Sequence, residues 1–238
     1  MNIKSKIAIV TGASSGLGAE FSKDLVKKGA IVYGLARSID KLNKIKKELG
    51  DNFIPVQQDI TKSKELETWV NKTFSSSHKP DILINNAGLG YFANVDDLKL
   101  EEWDNMLSVN LSGIFYITRL ITPLMKENKN VCHIFNISSV AGLMGNPQLS
   151  AYNATKYGLR GFSDALFKEL RYDGIKVSCF FPGSIATSFF DAIDEVDQHP
   201  NMMQASDVSN TLIHVLETPD NFLINELTMR PLNPKNPG

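Results

Sequence analysis

Short apolar runs alternate along this chain with longer segments whose apolar residues recur at helical spacing. Ile7–Val10 and Ile31–Leu35 are such runs, and between them Leu17, Phe21 and Leu25 stand four residues apart. Residues four apart lie on one face of a helix, whereas a short continuous apolar run is typical of a strand buried on both sides. The alternation predicts βαβ units and a parallel sheet covered by helices on both faces.

The same alternation continues to the end of the chain. Ser38 can cap a helix that runs to about Leu49 and ends at Gly50, and Gly29 is suited to end the helix before it. We predict an α/β fold of about seven strands. The further strands are expected at 53–57, 82–85, 131–137, 176–181 and 223–229. The further helices are expected at 63–76, 101–126, 151–172 and 206–217.

Length and composition bound what the protein can be. A chain of 238 residues without a linker or repeat fits a single domain, 1–238. A net charge of −1 predicts no general attraction to nucleic acid or membrane. The N-terminus lacks the features of a signal peptide, which favours a cytoplasmic location. Cys132 and Cys179 lie in separate apolar runs and are expected to be reduced, buried thiols. The four histidines lack metal-ligand spacing, so we expect no metal site.

A glycine-rich segment joins the first strand to the first helix. It has the spacing G-x-x-x-G-x-G, and no Gly-Lys-Ser/Thr follows, which excludes a P-loop nucleotidase. Glycines at this place let a pyrophosphate approach the free N–H groups of a helix N-terminus. We therefore predict a dinucleotide-phosphate site, although an ordinary glycine-rich turn is the alternative. Its predicted contacts are Gly12, Ser14, Ser15, Gly16, Leu17 and Gly18.

Tyr152 and Lys156 stand four residues apart in a predicted helix, so both side chains lie on one face. An ammonium beside a phenol favours the phenolate, and we expect it to lower the pKa of Tyr152 from its usual value near 10. Such a phenol can exchange protons near neutral pH. Pairs with this spacing also arise by chance on solvated helix faces, so the rest of the chain decides between the two interpretations.

The motifs together resemble the single-domain type of the short-chain dehydrogenase/reductase family over nearly the whole chain. They occur in the family's order and spacing. The resemblance implies a Rossmann-like doubly wound parallel β-sheet with helices on both faces. The matching segments are Thr11–Gly18, Asn85–Gly88, Val109–Asn110, Asn136–Ser139, Tyr152-x-x-x-Lys156 and Pro182-Gly183-x-x-x-Thr187.

The resemblance implies four catalytic residues. Tyr152 gives a proton to the carbonyl oxygen of the substrate, and Lys156 holds the nicotinamide ribose. Ser139 hydrogen-bonds the substrate oxygen, and Asn110 holds a water that relays protons. Ser139, not Ser138, matches the family serine because it lies thirteen residues before Tyr152. Neighbouring side chains at a strand end point to opposite faces, so only one of the two serines faces the site.

The resemblance also implies where a nicotinamide dinucleotide binds beyond the glycine-rich segment. Asp59 matches the aspartate at the adenine amine, and Ile185 and Thr187 match the positions that hold the carboxamide. Besides Tyr152 and Lys156, the implied contacts are Arg37, Ser38, Asp59, Ile60, Asn86, Ala87, Gly88, Pro182, Gly183, Ile185 and Thr187.

The end of the second strand favours NADP(H) over NAD(H). Family members that bind NAD carry a carboxylate there for the ribose 2′-hydroxyl, and this chain has Ala36 followed by Arg37 and Ser38. Arg37 offers planar, charged donors suited to a 2′-phosphate, and Ser14 can add a hydroxyl. The alternative is that Arg37 is a solvated surface arginine.

Residues 184–205 match the family's substrate lid. Its apolar residues either wall a small cleft or pack the lid onto the body, and the sequence favours neither. Candidate substrate contacts are Tyr91, Met144, Phe189 and Phe190. They fit a small or medium ketone, aldehyde or 3-oxo acid. The carboxylates Asp191, Asp194, Glu195 and Asp197 are mildly unfavourable for docking an acidic carrier protein.

The expected function is reversible NADP(H)-dependent reduction of a carbonyl to the alcohol. The alternatives are a 3-oxoacyl-acyl-carrier-protein reductase of fatty acid synthesis and a non-catalytic dinucleotide-sensing module. A homo-oligomer, a tetramer before a dimer, is expected from the resemblance. Phe115, Ile121, Phe162 and Leu166 form either its contact face or the core on the side of the sheet.

Overall fold

Seven parallel strands form one sheet in the computed structural model of this chain, which describes residues 1–187 and 199–234. Each predicted strand is present; the bounds 53–57 and 82–85 are as predicted, and those of the other strands differ by at most three residues at an end. The strands are β1 Ile7–Thr11, β2 Ile31–Ala36, β3 Phe53–Gln57, β4 Ile82–Asn85, β5 Cys132–Ile137, β6 Ile175–Pro182 and β7 Glu226–Met229.

The strand order is β3-β2-β1-β4-β5-β6-β7, and all neighbouring pairs are parallel. The chain runs outward from β1 to β3, then crosses back so that β4 pairs with the other side of β1. This reversal leaves a crevice at the carboxyl ends of β1 and β4, where ligands of open α/β sheets bind. The predicted doubly wound sheet is confirmed.

Helices cover both faces of the sheet. Helices α1, α2 and α7 pack on one face, and α3, α5 and α6 pack on the other. Short 3₁₀ turns lie at Val140–Gly142 and Arg171–Asp173. The helices are α1 Gly16–Lys27, α2 Ile39–Leu49, α3 Ser63–Thr73, α4 Leu100–Leu107, α5 Ile114–Lys126, α6 Ser150–Leu170 and α7 Ala205–Leu216.

Alternate residues of each strand build two separate core layers. In β4, Ile82 and Ile84 face the layer that contains Phe21 of α1, whereas Leu83 faces the layer that contains Ile117 of α5. Successive side chains of a strand point to opposite faces, and both faces are apolar here. Polar side chains are therefore largely confined to the strand ends.

The predicted helix over 101–126 is interrupted by a π-helical segment, Ser108–Gly113. Helices α4 and α5 flank it and continue the same path. One-turn π segments insert a residue into a helix and often occur at functional sites. Asn110 lies inside this segment and is fully buried. No proline or glycine in the first half of the segment signals the interruption, so the periodicity predicted an uninterrupted helix.

Local end signals behave as predicted. Ser38 Oγ accepts from the backbone N–H of Lys41 at 3.5 Å and caps α2, and Gly50 follows the last turn with φ of 75°. Gly29 ends α1 with φ of 85°. Cys132 and Cys179 are free, buried thiols, and burial raises the pKa of Cys179 to about 11.

The structure shows which residues of the predicted lid and of helices α5 and α6 pack into the core. Met202 is buried, and Ile185 pairs with Met203 in an isolated bridge, so this part of the lid packs onto the body. Residues 188–198, with Phe189 and Phe190, lie outside the described residues. Ile121 and Leu166 belong to the core beside the sheet. No helix within 1–187 or 199–234 is long and apolar enough to cross a bilayer.

Candidate active site

The glycine-rich segment and the turn after β4 are joined at the crevice by one threonine. Thr11 Oγ1 accepts from the backbone N–H groups of Asn86 and Ala87, each at 3.0 Å, and donates to Ile84 O at 3.3 Å. Asn86 Nδ2 donates to Thr11 O at 3.0 Å. Asn86 therefore holds the glycine-rich segment in place, a role that sequence reasoning did not assign to it.

Backbone contacts in this segment leave no room for larger residues. Gly12 has φ of 67°, and a Cβ there would lie 2.9 Å from Ala87 Cα. A Cβ on Gly18 would overlap the carbonyl oxygen of Gly12 and lie 2.6 Å from Asn86 Nδ2. Close approach of backbone to backbone is the reason glycine is needed at these two positions.

Helix α1 begins at Gly16 without a side-chain cap, because Ser15 makes no capping hydrogen bond. Helices α2 and α7, in contrast, have their first turns closed by Ser38 and Asp207. No acidic side chain lies in the first turn of α1. Its free N–H groups and positive dipole end can therefore accept an anion. Ser14 is half-buried beside them, and Leu17 packs against the core.

Helix α6 is fixed to the end of β5 by hydrogen bonds that run in both directions. Ser138 Oγ donates to Lys156 O at 3.1 Å, and Lys156 Nζ donates to Ile137 O at 3.0 Å. A Cβ on Gly142 would lie 2.8 Å from Lys156 O, so the turn after Ser139 packs directly on the helix backbone. Ser138 is therefore structural, and the assignment of Ser139 as the catalytic serine stays a prediction.

The Lys156 ammonium is 4% exposed and has Ile137 O as its one hydrogen-bond partner among the described residues. A Cβ added at Gly88 would lie 3.6 Å from Lys156 Nζ and 3.4 Å from Asn110 Oδ1. Gly88, Asn110 and Lys156 therefore lie close together in the structure. Burial lowers the pKa of Lys156 to about 8. An ammonium has three N–H donors, so two remain for a diol such as a ribose.

The Tyr152 phenol is buried, and its pKa moves opposite to the prediction. Burial raises the pKa of Tyr152 well above its usual value, and a hydrogen bond with the Ser139 hydroxyl only partly opposes this. Lys156 Nζ lies 5.6 Å from the centre of the Tyr152 ring and donates to the backbone instead. The prediction that Lys156 lowers the phenol pKa is therefore wrong for this chain, since loss of hydration of the phenolate is the largest effect on that pKa.

Asn110 is anchored through its whole amide group. Its Oδ1 accepts from Leu89 N at 2.9 Å, and its Nδ2 donates to Leu89 O at 2.8 Å and Thr155 Oγ1 at 3.1 Å. Thr155 in turn donates to Tyr152 O at 2.8 Å. Asn110 thus connects the π-helical segment to α6 one residue before Lys156. The relay water expected at Asn110 stays a prediction, and the side-chain amide protons are not available to it.

Asn153 is a buried residue of the site that sequence reasoning missed. Its Nδ2 donates to Ala141 O and, at 2.7 Å, to Met144 O, and its Oδ1 accepts from Asn146 N at 3.3 Å. The side chain next to Tyr152 therefore holds the loop that follows Ser139. An asparagine inside an otherwise small and polar helix turn was the only available signal, and by itself it is also compatible with a solvated face.

An apolar wall lies against the phenol. Tyr91 and Leu149 pack with Tyr152 in one cluster, and the ring of Phe92 lies 6.2 Å from the Tyr152 ring. Met144 is 43% exposed, and Asn153 holds its backbone carbonyl in the loop after Ser139. Tyr91 thus packs next to Tyr152, and the assignment of Tyr91 and Met144 as substrate contacts stays a prediction.

The residues predicted to bind the adenosine end lie at the carboxyl ends of β2 and β3. Arg37 is exposed, and its guanidinium has no ion pair or hydrogen bond with the described parts of the chain. Ser38 is occupied as the cap of α2. Asp59 Oδ1 accepts from Thr61 N at 2.9 Å, which fixes the turn after β3. The buried Ile60 side chain packs on the π-helical segment at Gly113.

The segment after β6 closes the opposite side of the crevice. Pro182 is in register with Met229, and Gly183 N donates to Met229 O at 2.8 Å. Thr187 lies beside Gly16, since a Cβ at that glycine would be 3.5 Å from Thr187 Cβ. Ile185 points into the core, so only its backbone can face the crevice. No group of three His, Cys, Asp or Glu side chains that could hold a metal is present within residues 1–187 and 199–234.

The chain is similar to known proteins over nearly its full length. The family model described as short chain dehydrogenase matches residues 6–198. An uncharacterized oxidoreductase of Staphylococcus aureus is 31% identical over 228 residues, which cover 95% of this chain and 97% of that protein.

Solved structures with the same fold contain nicotinamide dinucleotides. The closed form of a serine dehydrogenase complexed with NADP+ has a TM-score of 0.87 and 29% identity, covering 98% of this chain and 97% of the other. A 3-ketoacyl-(acyl-carrier-protein) reductase from Brucella melitensis complexed with NADH has a TM-score of 0.85 and 29% identity, covering 97% and 98%.

The geometry fits a nicotinamide dinucleotide. The uncapped start of α1 and the close backbone contacts at Gly12 and Gly18 suit a pyrophosphate, and the two free N–H donors of Lys156 suit a ribose. The dinucleotide would lie in the crevice at the carboxyl ends of β1 and β4 and extend to the end of β6.

Replacing Gly18 with alanine tests the cradle. The added Cβ overlaps the Gly12 carbonyl, so Gly18→Ala should destabilise the fold by about 1–3 kcal/mol through overpacking. It should also weaken dinucleotide binding at least about tenfold, because the N–H groups of α1 are displaced. Urea unfolding and a fluorescence titration with NADPH measure both effects.

Gly161→Ala is the matched control. Gly161 lies inside α6, and nothing stands within 4 Å of an added Cβ. This variant should bind NADPH normally and gain about 0.5–1 kcal/mol of stability from reduced backbone freedom. Equal binding by both variants would contradict the assignment of the glycine-rich segment.

Proposed function

Because the chain belongs to the short-chain dehydrogenase/reductase family and is an oxidoreductase, we propose that it reduces a small or medium carbonyl compound with NADP(H), reversibly. The substrate is a ketone, an aldehyde or a 3-oxo acid. The observation that carries the proposal is the phenol of Tyr152, buried in an apolar wall and hydrogen-bonded to Ser139 beside the Lys156 ammonium.

Tyr152 is the proton donor of the proposed reduction, because burial raises its pKa and keeps the phenol protonated at neutral pH. A phenol that keeps its proton at neutral pH can donate it to a carbonyl oxygen, whereas oxidation needs the phenolate to accept one. Burial of Tyr152 therefore prepares the group for donation. The bound dinucleotide supplies the hydride, and the protein supplies position and charge.

Each catalytic group has one task in this proposal. Tyr152 Oη donates the proton, and the Ser139 hydroxyl hydrogen-bonds the oxygen where negative charge develops. Lys156 binds the ribose with its two remaining N–H groups and keeps a positive charge near the phenol. Asn110 keeps α6 against the π-helical segment, and Asn153 keeps the loop after Ser139 in place.

The NADP(H) preference is proposed from the end of β2. Ala36 ends the strand, no carboxylate follows it, and the exposed Arg37 guanidinium has no acidic partner among residues 1–187 and 199–234. A guanidinium is suited to bidentate contact with a phosphate. The similar solved structures contain NADP+ in one case and NADH in the other, so the argument depends on Arg37.

A 3-oxoacyl-acyl-carrier-protein reductase is the second candidate function. The similarity to the Brucella melitensis enzyme over nearly the full length favours it. The four carboxylates between 191 and 197 count against it, because acidic carrier proteins would be repelled. A dinucleotide-sensing module without turnover is less well supported, since Asn110, Ser139, Tyr152 and Lys156 all converge.

A homo-oligomer, a tetramer before a dimer, is also proposed. Phe115 is 48% exposed, and its ring lies 6.4 Å from that of the half-buried Phe162. These rings line an open apolar cavity of about 360 Å³ between α5 and α6, together with Leu111, Tyr116 and Leu159. An exposed apolar surface of this kind is typical of a subunit contact. The cytoplasmic location stays a prediction.

A carbonyl panel tests the proposed reaction. The wild-type protein should oxidise NADPH above background with at least one diketone, 3-oxo ester, aromatic aldehyde, steroid ketone or acyl thioester. Tyr152→Phe removes the proton donor with little change in shape and should lower kcat at least about 100-fold. A Tyr152→Phe variant as fast as wild type would contradict the mechanism, and turnover confined to the thioester would favour the second candidate.

Arg37→Ala tests the cofactor preference. Loss of charge-assisted contacts to the 2′-phosphate should raise the KM for NADPH about 10- to 100-fold and change that for NADH less than about threefold. Saturation curves for both cofactors measure this. Arg171→Ala is the control, because Arg171 is exposed and stacks on Tyr172 away from the crevice. A clear NADH preference of the wild-type protein would overturn the proposal.

The pH dependence follows from Lys156. Its ammonium is charged below a pKa of about 8 and neutral above it, so the ribose loses a charged donor as the pH rises through that value. The kcat/KM for NADPH-dependent reduction should be level at pH 6–7 and fall above about pH 8, since this ratio reports groups of the free enzyme. A profile that stays level to pH 9.5 would contradict this assignment.

A further inference from the structure

Arg230 lies at the same sheet edge as the candidate catalytic residues. It directly follows β7, and the pairing of Pro182 with Met229 puts it next to the end of β6. A Cβ on Gly183 would lie 3.6 Å from Arg230 Cα. Neighbouring strands are roughly 4.8 Å apart, so Arg230 stands about two strand spacings from the end of β5, where Ser139 follows.

The Arg230 side chain extends back toward the catalytic loop. Its Nη2 donates to Met144 Sδ at 3.3 Å. Met144 belongs to the loop after Ser139, and its carbonyl oxygen is held by Asn153, the residue next to Tyr152. The guanidinium therefore lies against the exposed Met144 side chain, in the loop that Asn153 fixes next to Tyr152.

A thioether is a poor partner for a guanidinium. Arginine presents several N–H donors in a planar fork that matches the two oxygens of a carboxylate. Arg160 forms such a bidentate pair in this chain, with two hydrogen bonds of 2.8 and 3.0 Å to the Glu226 carboxylate at the start of β7. Arg230 has no such carboxylate among residues 1–187 and 199–234. Most of its donors are thus free at the mouth of the site.

We propose that Arg230 binds a carboxylate of the substrate, which makes the substrate a short oxo acid or, in the reverse direction, a hydroxy acid. The carbonyl would lie at Tyr152 and Ser139, the carbon chain beside Met144, and the carboxylate at Arg230. This inference rests on the proposed carbonyl reduction and narrows its substrate class, because ketones and aldehydes without a negative charge leave Arg230 unpaired.

The decisive experiment compares an acid with its uncharged ester. Acetoacetate and methyl acetoacetate carry the same reducible carbonyl, and only the acid can pair with Arg230. The wild-type protein should prefer the acid. Arg230→Gln should lower kcat/KM for the acid about 10- to 100-fold, the usual worth of hydrogen bonds to a charged group, and change that for the ester less than about threefold.

The loss should appear mainly in KM, since the carboxylate is bound equally in the ground state and the transition state. Arg230→Lys keeps the charge without the fork and should recover part of the preference. Arg160→Gln is the matched control, because it breaks the ion pair between α6 and Glu226 at the start of β7 and leaves Arg230 intact, and it should affect acid and ester alike. If Arg230→Gln lowers kcat/KM for the acid and the ester in parallel, or lowers it for neither, the inference is wrong.

A binding measurement separates this inference from the proposed reaction. 3-Methylbutanoate has the shape of acetoacetate but no reducible carbonyl, and 3-methylbutanamide is its uncharged counterpart. Calorimetry in the presence of NADPH should show that the wild-type protein binds the acid more tightly than the amide and that Arg230→Gln removes the difference. If no carbonyl is reduced but this difference persists, the proposed reaction fails and only the carboxylate-binding role of Arg230 stands. Equal binding of acid and amide by the wild-type protein overturns it.

Discussion

The Lys156 ammonium donates a hydrogen bond to Ile137 O, and the Lys156 carbonyl oxygen accepts one from the Ser138 hydroxyl. These two buried bonds join helix α6 to the end of β5 in both directions. The helix brings the Tyr152 phenol to the site, and the strand end brings the Ser139 hydroxyl. The distance between proton donor and oxygen-binding group therefore depends on this one attachment, which Asn153 extends to the following loop.

Burial drives the two central titrating groups toward their neutral forms. It raises the pKa of the Tyr152 phenol and lowers that of the Lys156 ammonium to about 8, because both charged forms lose hydration. The burial of Tyr152 and Lys156 follows from the architecture of the sheet. Both faces of the sheet are apolar, so polar side chains gather at the strand ends, where helices still exclude much of the water.

Sequence patterns predicted the strands, most helix ends and the chemical identity of the site, because these depend on local spacing and on residues with special backbone needs. Gly12 and Gly18 are examples, since only a residue without Cβ fits there. The π-helical segment at Asn110 was missed because apolar periodicity does not register one inserted residue. Asn153 was missed because its three partners are backbone groups of a loop, which no side-chain pattern reveals.

The sequence by itself determined the parallel α/β sheet, the glycine-rich turn between the first strand and the first helix, and the proximity of Tyr152 to Lys156 on one helix face. These follow from strand alternation, glycine spacing and the helical repeat, which are local properties. Only the tertiary structure decided the protonation of the phenol and the position of Arg230 beside Met144. Desolvation and contacts between β7 and the loop after Ser139 arise when distant segments pack together, and local sequence carries no measure of either.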